Sequence, residues 1–327
     1  MARPEILQIA PMLPVVTDQI AKLFTVHRLW EVSDRDAWLA ENGSRIRGVA
    51  AGGHSPVNEE LLGKLPALEI VAAFGVGYDQ IDAKWAGSHG IVVTNTPDVL
   101  TDEVADLTIG LLLATVRRIP AAERHLRDGK WPSGAFPLTS SLRDRKIGIL
   151  GLGRIGKAIA KRLQAFGLPI SYYGRHKQDG VEYPYVADPV ELARQVDVLI
   201  SVIPGGKATE KTIGAAVFEA LGPDGIFLNV GRGTVVDEAA LIDALKSNKI
   251  QAAGLDVYAD EPNVPAELIA LENTVLLPHV ASGTVHTRNA MGQLVVDNLV
   301  SWFDGRGAVT PVAETAEVAA SAKGGKS

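Results

Sequence analysis

The feature that most constrains the fold is a short apolar segment that runs directly into a glycine-rich turn. Ile147-Gly-Ile-Leu150 is followed at once by Gly-Leu-Gly-Arg-Ile-Gly. In a strand–turn–helix context, Gly151 permits the tight turn, Gly153 lets the backbone approach a phosphate, and Gly156 allows close helix–strand packing. The spacing therefore predicts a phosphate-binding turn at the end of a buried strand.

The residues after this turn have the pattern of a helix. Ile155, Ile159 and Leu163 recur at helical spacing until Gly167 ends the segment. The N–H groups of Arg154 and Ile155 at its start would face the phosphates, with the helix dipole behind them. This context predicts a dinucleotide-binding domain rather than an ordinary glycine-rich turn.

The next apolar segment indicates which dinucleotide is bound. An NAD site expects Asp or Glu near the end of that strand, about 20 residues beyond the glycines, to accept the ribose hydroxyls. The chain instead reads Gly174-Arg175-His176-Lys177 at this place. A guanidinium suits a 2′-phosphate, which a carboxylate would repel. These residues predict NADPH as the cofactor and NADH as a weaker alternative, with Asp179 as a later candidate for the ribose.

Two series of apolar segments alternate with helical patterns along the chain. The first series runs from Glu5 to Thr96, and the second runs from Lys146 to the segment at Thr274. Because repeated βα units form parallel sheets, we predict an α/β fold with two doubly wound sheets. The predicted domains are a flavodoxin-like substrate domain, residues 1–100 and 284–327, and an inserted Rossmann domain, residues 101–283.

Two connecting segments also carry predictions. Thr101 to about Leu126 reads as a long helix between the domains, which Pro120 should bend or break. The segment beyond Gly305 is rich in Ala, Glu, Gly and Lys. It has few large apolar residues, and we therefore expect it to be loose.

The bulk composition excludes several classes of protein. A chain of 327 residues suits two domains, and 46% hydrophobic with 21% charged residues is ordinary for a globular protein. A net charge of −6 argues against a nucleic-acid partner, and the absence of cysteine excludes disulfides and thiolate catalysis. The most apolar stretch, 107–116, is far shorter than the roughly 20 residues of a membrane span. With no apparent signal peptide, the expected location is the cytoplasm.

Three residues at predicted strand ends carry the chemistry needed to reduce a 2-keto acid. His279 follows Leu-Leu-Pro, where open α/β sheets place their ligands, and histidine is the usual proton donor near neutral pH. Glu261 would favour the imidazolium form and orient the ring, although Asp260 could serve as well. Arg232 lies between two glycines that let a ligand approach, and its forked donors could hold a carboxylate and a keto oxygen together.

Taken together, these motifs resemble the D-2-hydroxyacid dehydrogenase family over nearly the whole chain. The segments that carry the resemblance are Gly151-Leu-Gly-Arg-Ile-Gly, Asn229-Val-Gly-Arg-Gly-Thr-Val-Val-Asp, Gly254-Leu-Asp-Val-Tyr, Asp260-Glu-Pro and Leu277-Pro-His. The resemblance implies Arg232 as the substrate binder, Glu261 as the partner of the acid and His279 as the proton donor. Tyr-Tyr-Gly-Arg-His-Lys is most similar to NADPH-dependent glyoxylate/hydroxypyruvate reductases, and also to hydroxyphenylpyruvate reductases.

The resemblance implies further contacts. Phe74-Gly-Val-Gly-Tyr-Asp79 looks like the loop that binds the substrate carboxylate, with N–H groups of Val76 and Gly77 on the anion. Gly53 is a further expected substrate contact. Additional cofactor contacts are expected at Ile203, Pro204, Thr209, Val230, Asp256 and His279. Side chains that could line the pocket between the domains are Met12, Leu13, His54, Trp131 and Phe136.

The sequence therefore predicts a reductase of small 2-keto acids that forms D-2-hydroxy acids, with a hydride from NADPH and a proton from His279. Glyoxylate, hydroxypyruvate and larger keto acids are the expected substrates, and a homodimer is the expected assembly. One alternative is an NAD-dependent dehydrogenase of another hydroxy acid. The other is a non-catalytic protein that senses the cofactor, as corepressors with this fold do.

The cofactor prediction is tested by steady-state kinetics with both nicotinamide cofactors. We expect kcat/KM for NADPH to exceed that for NADH, because Arg175 and Lys177 attract a 2′-phosphate. A preference for NADH would contradict this interpretation of the turn.

Overall fold

The structure, a computed structural model, describes residues 3–52 and 55–324. Contacts within the chain divide it into two compact units, one made of Met1–Leu100 with Thr284–Ser327 and the other of Thr101–Gly283. We call them unit 1 and unit 2. No helix of the described residues is long and apolar enough to cross a membrane.

Short strands alternate with helices along both units. The strands are β1 (Glu5–Gln8), β2 (Thr25–Arg28), β3 (Ile46–Ala51), β4 (Ile70–Ala73), β5 (Val92–Thr94), β6 (Ile147–Leu150), β7 (Ile170–Tyr173), β8 (Val198–Ser201), β9 (Ile226–Asn229), β10 (Ala252–Leu255) and β11 (Thr274–Leu276). The α-helices are α1 (Pro14–Leu23), α2 (Arg35–Asn42), α3 (Glu59–Leu62), α4 (Ala83–Ser88), α5 (Thr101–Val116), α6 (Ile119–Arg127), α7 (Arg154–Gln164), α8 (Pro189–Gln195), α9 (Ala215–Leu221), α10 (Glu238–Lys246), α11 (Ala266–Ile269), α12 (Val285–Phe303) and α13 (Ala316–Gly324). Short 3₁₀ turns occur at Leu29–Glu31, Gly43–Arg45, Trp131–Ser133, Gly233–Val235 and Ala313–Thr315.

Each unit is built on one parallel sheet. In unit 1 the described strands are ordered β2-β1-β3-β4-β5, which is the flavodoxin-like order. In unit 2 the order is β11-β10-β9-β8-β6-β7. In a Rossmann fold, the first half carries a third strand beside its second strand, which here is β7. In this protein, a single parallel bridge between Tyr172 and Tyr185 takes the place of that third strand. The predicted fold class, two parallel-sheet α/β domains, is confirmed.

The strands read as continuous apolar runs because both faces of each sheet are covered. All four residues of β4, β6, β8, β9 and β10 are buried. Packed between the helices and the sheet of unit 2 is a core that includes Phe218 and Phe227, whose rings meet edge to face. These rigid sheets hold the loops at their carboxyl ends in place.

The predicted long helix is interrupted, as its proline requires. α5 ends at Val116, which is four residues before Pro120, and α6 begins at Ile119. Between them, Arg118 takes a left-handed conformation with φ of 49°. Because a proline ring clashes with the carbonyl four residues earlier, one continuous helix cannot pass through this point. The predicted break at Pro120 is therefore confirmed.

The expectation of a loose segment beyond Gly305 is wrong. Ala308, Val312 and Ala319 are buried, and Thr315 is completely buried. The Thr315 hydroxyl donates to the carbonyl of Val93, and the Val93 N–H donates to that hydroxyl, both at 3.1 Å. The segment thus covers β5, an edge strand of the sheet of unit 1. Small apolar side chains suffice because the backbones approach closely.

Candidate active site

A histidine and a glutamate form a close pair in unit 2. Nδ1 of His279 lies 2.7 Å from Oε2 of Glu261, and the other carboxylate oxygen accepts the N–H of Tyr258 at 3.0 Å. Both side chains are partly exposed, at 29% for His279 and 20% for Glu261. Since the carboxylate accepts at Nδ1, that nitrogen carries a proton.

The loop that bears His279 is fixed by a buried carboxylate. The carbonyl of Asp256 accepts the N–H of His279 at 2.9 Å, and its two carboxylate oxygens accept those of Val280 and Ala281 at 2.8 Å each. Burial raises the pKa of Asp256, an effect that these two N–H groups oppose. Three consecutive N–H groups thus bind one residue, and His279 is held in a left-handed conformation with φ of 52°. The predicted contact of Asp256 with the cofactor stays a prediction.

The turn that presents Arg232 is closed by a side chain that sequence reasoning missed. Asn229, the completely buried last residue of β9, donates through Nδ2 to the carbonyl of Arg232 at 2.8 Å. Its Oδ1 accepts the N–H of Gly231 at 3.1 Å. An Asn two or three residues before such a turn is a known signal of this geometry and could have been used.

The glycines beside Arg232 let neighbouring loops approach closely. The expectation that they also let a ligand approach stays a prediction. A Cβ on Gly231 would lie 2.7 Å from the carbonyl oxygen of Ile203, and a Cβ on Gly233 would overlap the carbonyl of Tyr258. The turn after β9 therefore packs directly on the loop after β10.

Tyr258 joins the remaining two loops. Its hydroxyl donates to the carbonyl of Leu277 at 2.9 Å, and its ring is buried in the core of unit 2. Burial raises the pKa of this phenol, so it stays a hydrogen-bond donor. Through Tyr258, the loops that carry Arg232, Glu261 and His279 are held against each other. The sequence did not indicate this role.

The glycine-rich turn after β6, Gly151 to Gly156, has the geometry of a phosphate-binding turn, and we call it the phosphate cradle. Gly151 has φ of 96°, and a Cβ there would lie 3.0 Å from Ile203. A Cβ on Gly156 would overlap the carbonyl of Gly151, so α7 packs closely on the turn. At Gly153, no heavy atom of the described chain other than those of Gly153 and its two chain neighbours lies within 4 Å of the Cβ position. The side of the turn where a phosphate is expected is therefore open, and the residues fit a dinucleotide.

The structure places the other expected cofactor residues around the same edge of the sheet of unit 2. Arg154 and Ile155 start α7, so their N–H groups belong to its first turn. Arg175, His176 and Lys177, which we call the basic turn, follow β7 and are exposed. After β8 and β9, Ile203 and Val230 are buried, Pro204 is exposed, and Thr209 donates through its hydroxyl to the carbonyl of Pro204 at 2.7 Å.

The predicted substrate loop lies in unit 1, after β4. The N–H of Gly75 donates to the hydroxyl of Thr96 at 3.0 Å, and Asn95 donates to the carbonyl of Val76 at 2.8 Å, which fixes the turn around Val76 and Gly77. The predictions for Gly53 and His54 lie outside the described residues. Met12 packs in the core of unit 1, Leu13 caps α1, Trp131 is exposed, and Phe136 lies edge-on to His125.

The sheet orders and the cradle define an α/β protein of the dinucleotide-binding class. The family model for the NAD-binding domain of D-isomer-specific 2-hydroxyacid dehydrogenases matches residues 109–281. Glyoxylate/hydroxypyruvate reductase A of Arabidopsis thaliana is 45% identical over 94% of this chain and 98% of its own. The hydroxyphenylpyruvate reductase of Plectranthus scutellarioides has the same identity and coverage.

A solved structure is similar over nearly the whole chain. It is the NADPH-dependent glyoxylate/hydroxypyruvate reductase of Sinorhizobium meliloti in complex with NADP and malonate. The two proteins are 50% identical with a TM-score of 0.91, over 96% of this chain and 98% of the other. The chain belongs to the D-isomer-specific 2-hydroxyacid dehydrogenase family, and the resemblance predicted from its motifs is confirmed.

The close packing at Gly233 leads to a prediction. Gly233→Ala should destabilise the protein by more than about 2 kcal/mol and lower kcat/KM, because the added methyl group must push the Arg232 turn away from Tyr258. Gly214→Ala is the matched control, since Gly214 has φ of −121° and its Cβ would meet the nearest atom only at 3.9 Å. Urea unfolding and steady-state kinetics measure both effects. Equal behaviour of the two variants would contradict the packing argument.

Proposed function

We propose that the protein is an NADPH-dependent reductase of small 2-keto acids to D-2-hydroxy acids. Glyoxylate and hydroxypyruvate are the proposed substrates, together with larger keto acids of the hydroxyphenylpyruvate kind. The observation that carries the proposal is the 2.7 Å contact between His279 and Glu261, beside the fixed turn of Arg232. The relatives named for these activities support the choice of substrate class.

His279 is the proposed proton donor. With Nδ1 bound to Glu261, protonation of Nε2 gives an imidazolium that the carboxylate stabilises. Nε2 then gives its proton to the keto oxygen, which becomes the hydroxyl of the product. Asp256 fixes the loop that carries His279, and this keeps the imidazole ring in one orientation. The ring therefore does not lose conformational freedom each time a substrate binds.

Arg232 is the proposed binding group for the substrate. Its guanidinium can donate to a carboxylate and a neighbouring keto oxygen at the same time. This holds the substrate in one plane and withdraws electrons from the carbonyl. Val76 and Gly77 in unit 1 are proposed to bind the carboxylate through their N–H groups, and Gly53 is a further proposed contact.

Unit 2 is proposed to bind NADPH. The cradle of Gly151, Gly153 and Gly156, with the start of α7, suits the pyrophosphate, and the basic turn suits the 2′-phosphate. When bound, the reduced nicotinamide supplies the hydride. Unit 1 is correspondingly the proposed substrate domain. The residues proposed for these roles are the ones predicted from the sequence. The NADP-bound relative supports NADPH as the cofactor.

We further propose that the enzyme is a cytoplasmic homodimer. Support for the dimer comes from a run of exposed apolar side chains on α6 and the segment after it. Ile119 and Leu126 are more than half exposed, Trp131 is 66% exposed, and Leu138 is completely exposed. Apolar groups in such numbers over one short segment are typical of a surface that a partner covers.

Replacement of the proposed acid tests the mechanism. His279→Ala should lower kcat by about 100- to 10,000-fold, because no other group supplies the proton, while NADPH still binds through its other contacts. Turnover is measured as NADPH oxidation over a panel of keto acids. His286→Ala, which alters an exposed histidine in the first turn of α12, is the control. Near-normal turnover of His279→Ala would refute the assignment.

The dimer is tested by light scattering. The wild-type protein should have twice the 34.6 kDa mass of one chain, and Leu138→Asp should shift it toward the monomer because a charge would be buried at the contact. Leu23→Asp, at another exposed apolar side chain, should leave the mass unchanged. A monomeric wild-type protein would contradict the proposal.

A further inference from the structure

The basic turn is exposed but fixed at both of its ends. At its start, the carbonyl of Gly174 accepts the hydroxyl of Tyr185 at 3.2 Å. Beyond its end, the N–H of Gln178 donates to the hydroxyl of Tyr172 at 2.8 Å. Arg175 and Lys177 therefore lie on a short turn that is held by a hydrogen bond at each end.

One of the two anchoring tyrosines is a core residue, and the other packs against it. Tyr172 lies in β7 and is completely buried, and its ring packs against that of Tyr185 with the centroids 5.4 Å apart. Their backbones form the single parallel bridge that replaces the further strand of a Rossmann half. Because Tyr172 and Tyr185 are packed at the sheet, their hydrogen bonds fix both ends of the basic turn relative to the sheet.

Gln178 also connects the basic turn to the phosphate cradle. Its side-chain Nε2 donates to the carbonyl of Leu152 at 2.8 Å. Leu152 is the buried residue between Gly151, which forms the tight turn of the cradle, and Gly153, which a phosphate would approach. One half-buried amide thus bridges two segments that are 26 residues apart in sequence.

This bridge matters because one ligand has to satisfy both segments. The 2′-phosphate and the pyrophosphate are attached to the same ribose, so the distance between them is limited by the ligand. Cations on an unanchored turn lose conformational freedom when they bind, whereas a turn that is already fixed avoids most of this loss. NADH has no 2′-phosphate and gains nothing from the position of the turn.

We propose that Gln178 is a positioning residue that fixes the basic turn relative to the phosphate cradle and thereby favours NADPH over NADH. The proposal rests on the proposed use of NADPH. Gln178 does not itself contact the cofactor in this proposal, and it acts through Leu152 and through the basic turn beside it.

The test measures binding of two nucleotides that differ only in the 2′-phosphate. Isothermal titration calorimetry of the full chain with 2′,5′-ADP and with 5′-AMP requires no turnover. Gln178→Ala should raise the Kd of 2′,5′-ADP by about three- to tenfold, the range of one lost hydrogen bond, and change that of 5′-AMP by less than about twofold. The ratio of kcat/KM for NADPH to that for NADH should fall in parallel.

Two further variants sharpen the experiment. Gln178→Glu keeps the size of the side chain but cannot donate to Leu152 when ionised, and its charge repels the 2′-phosphate, so the loss for 2′,5′-ADP should be larger. Gln164→Ala alters an exposed glutamine at the end of α7 and should leave both affinities unchanged. Thermal unfolding of each variant verifies that the fold is intact.

The outcomes separate this proposal from the proposed function. If the wild-type protein prefers 2′,5′-ADP but Gln178→Ala binds both nucleotides as the wild type does, the role of Gln178 is refuted and NADPH use stands. Equal weakening of both nucleotides also refutes it, since the amide would then support only the cradle. If the wild type binds the two nucleotides equally, NADPH preference fails, and the role of Gln178 in it fails as well.

Discussion

Parallel pairing of β9, β10 and β11 is the constraint on which the candidate active site depends. Parallel neighbours end at the same edge of a sheet, so the loops that follow them lie side by side. Arg232, Glu261 and His279 each follow one of these strands, which are direct neighbours in the described sheet. The absence of a side chain at Gly233 then lets two of the loops touch through their backbones. The placement of these three side chains on neighbouring loops thus follows from the strand order and from the close backbone contact at Gly233.

The charges of the protein are organised locally rather than over its surface. The chain carries a net charge of −6, yet its proposed ligands are anions. Arg232, the basic turn and the start of α7 supply the positive groups where the ligand is expected. The buried Asp256 does the reverse, since N–H groups from its own unit neutralise a carboxylate and so fix the loop of His279. Both arrangements place a few charges against well-defined partners, which is where electrostatic interactions are strongest.

Local patterns predicted most elements because the responsible forces act between near neighbours. The strands were recognisable as apolar runs, and Pro120 marked the interruption between α5 and α6. The segment beyond Gly305 escaped this reasoning, since Ala308 and Ala319 are weak signals in a sequence and gain their stability from β5, more than 200 residues away in the chain. Burial of small residues depends on what they meet, and a local pattern does not contain that information.

The sequence by itself determined the class of fold, the phosphate-binding turn and the side chains suited to reduce a keto acid, because each is encoded in residue types at fixed spacing. The tertiary structure decided how those side chains are held. Asn229 closes the turn of Arg232, Tyr258 joins three loops, and Gln178 bridges the cradle and the basic turn. Tyr258 and Gln178 make these contacts with residues 19 and 26 positions away, and such pairs meet only after the sheet has brought their strands together.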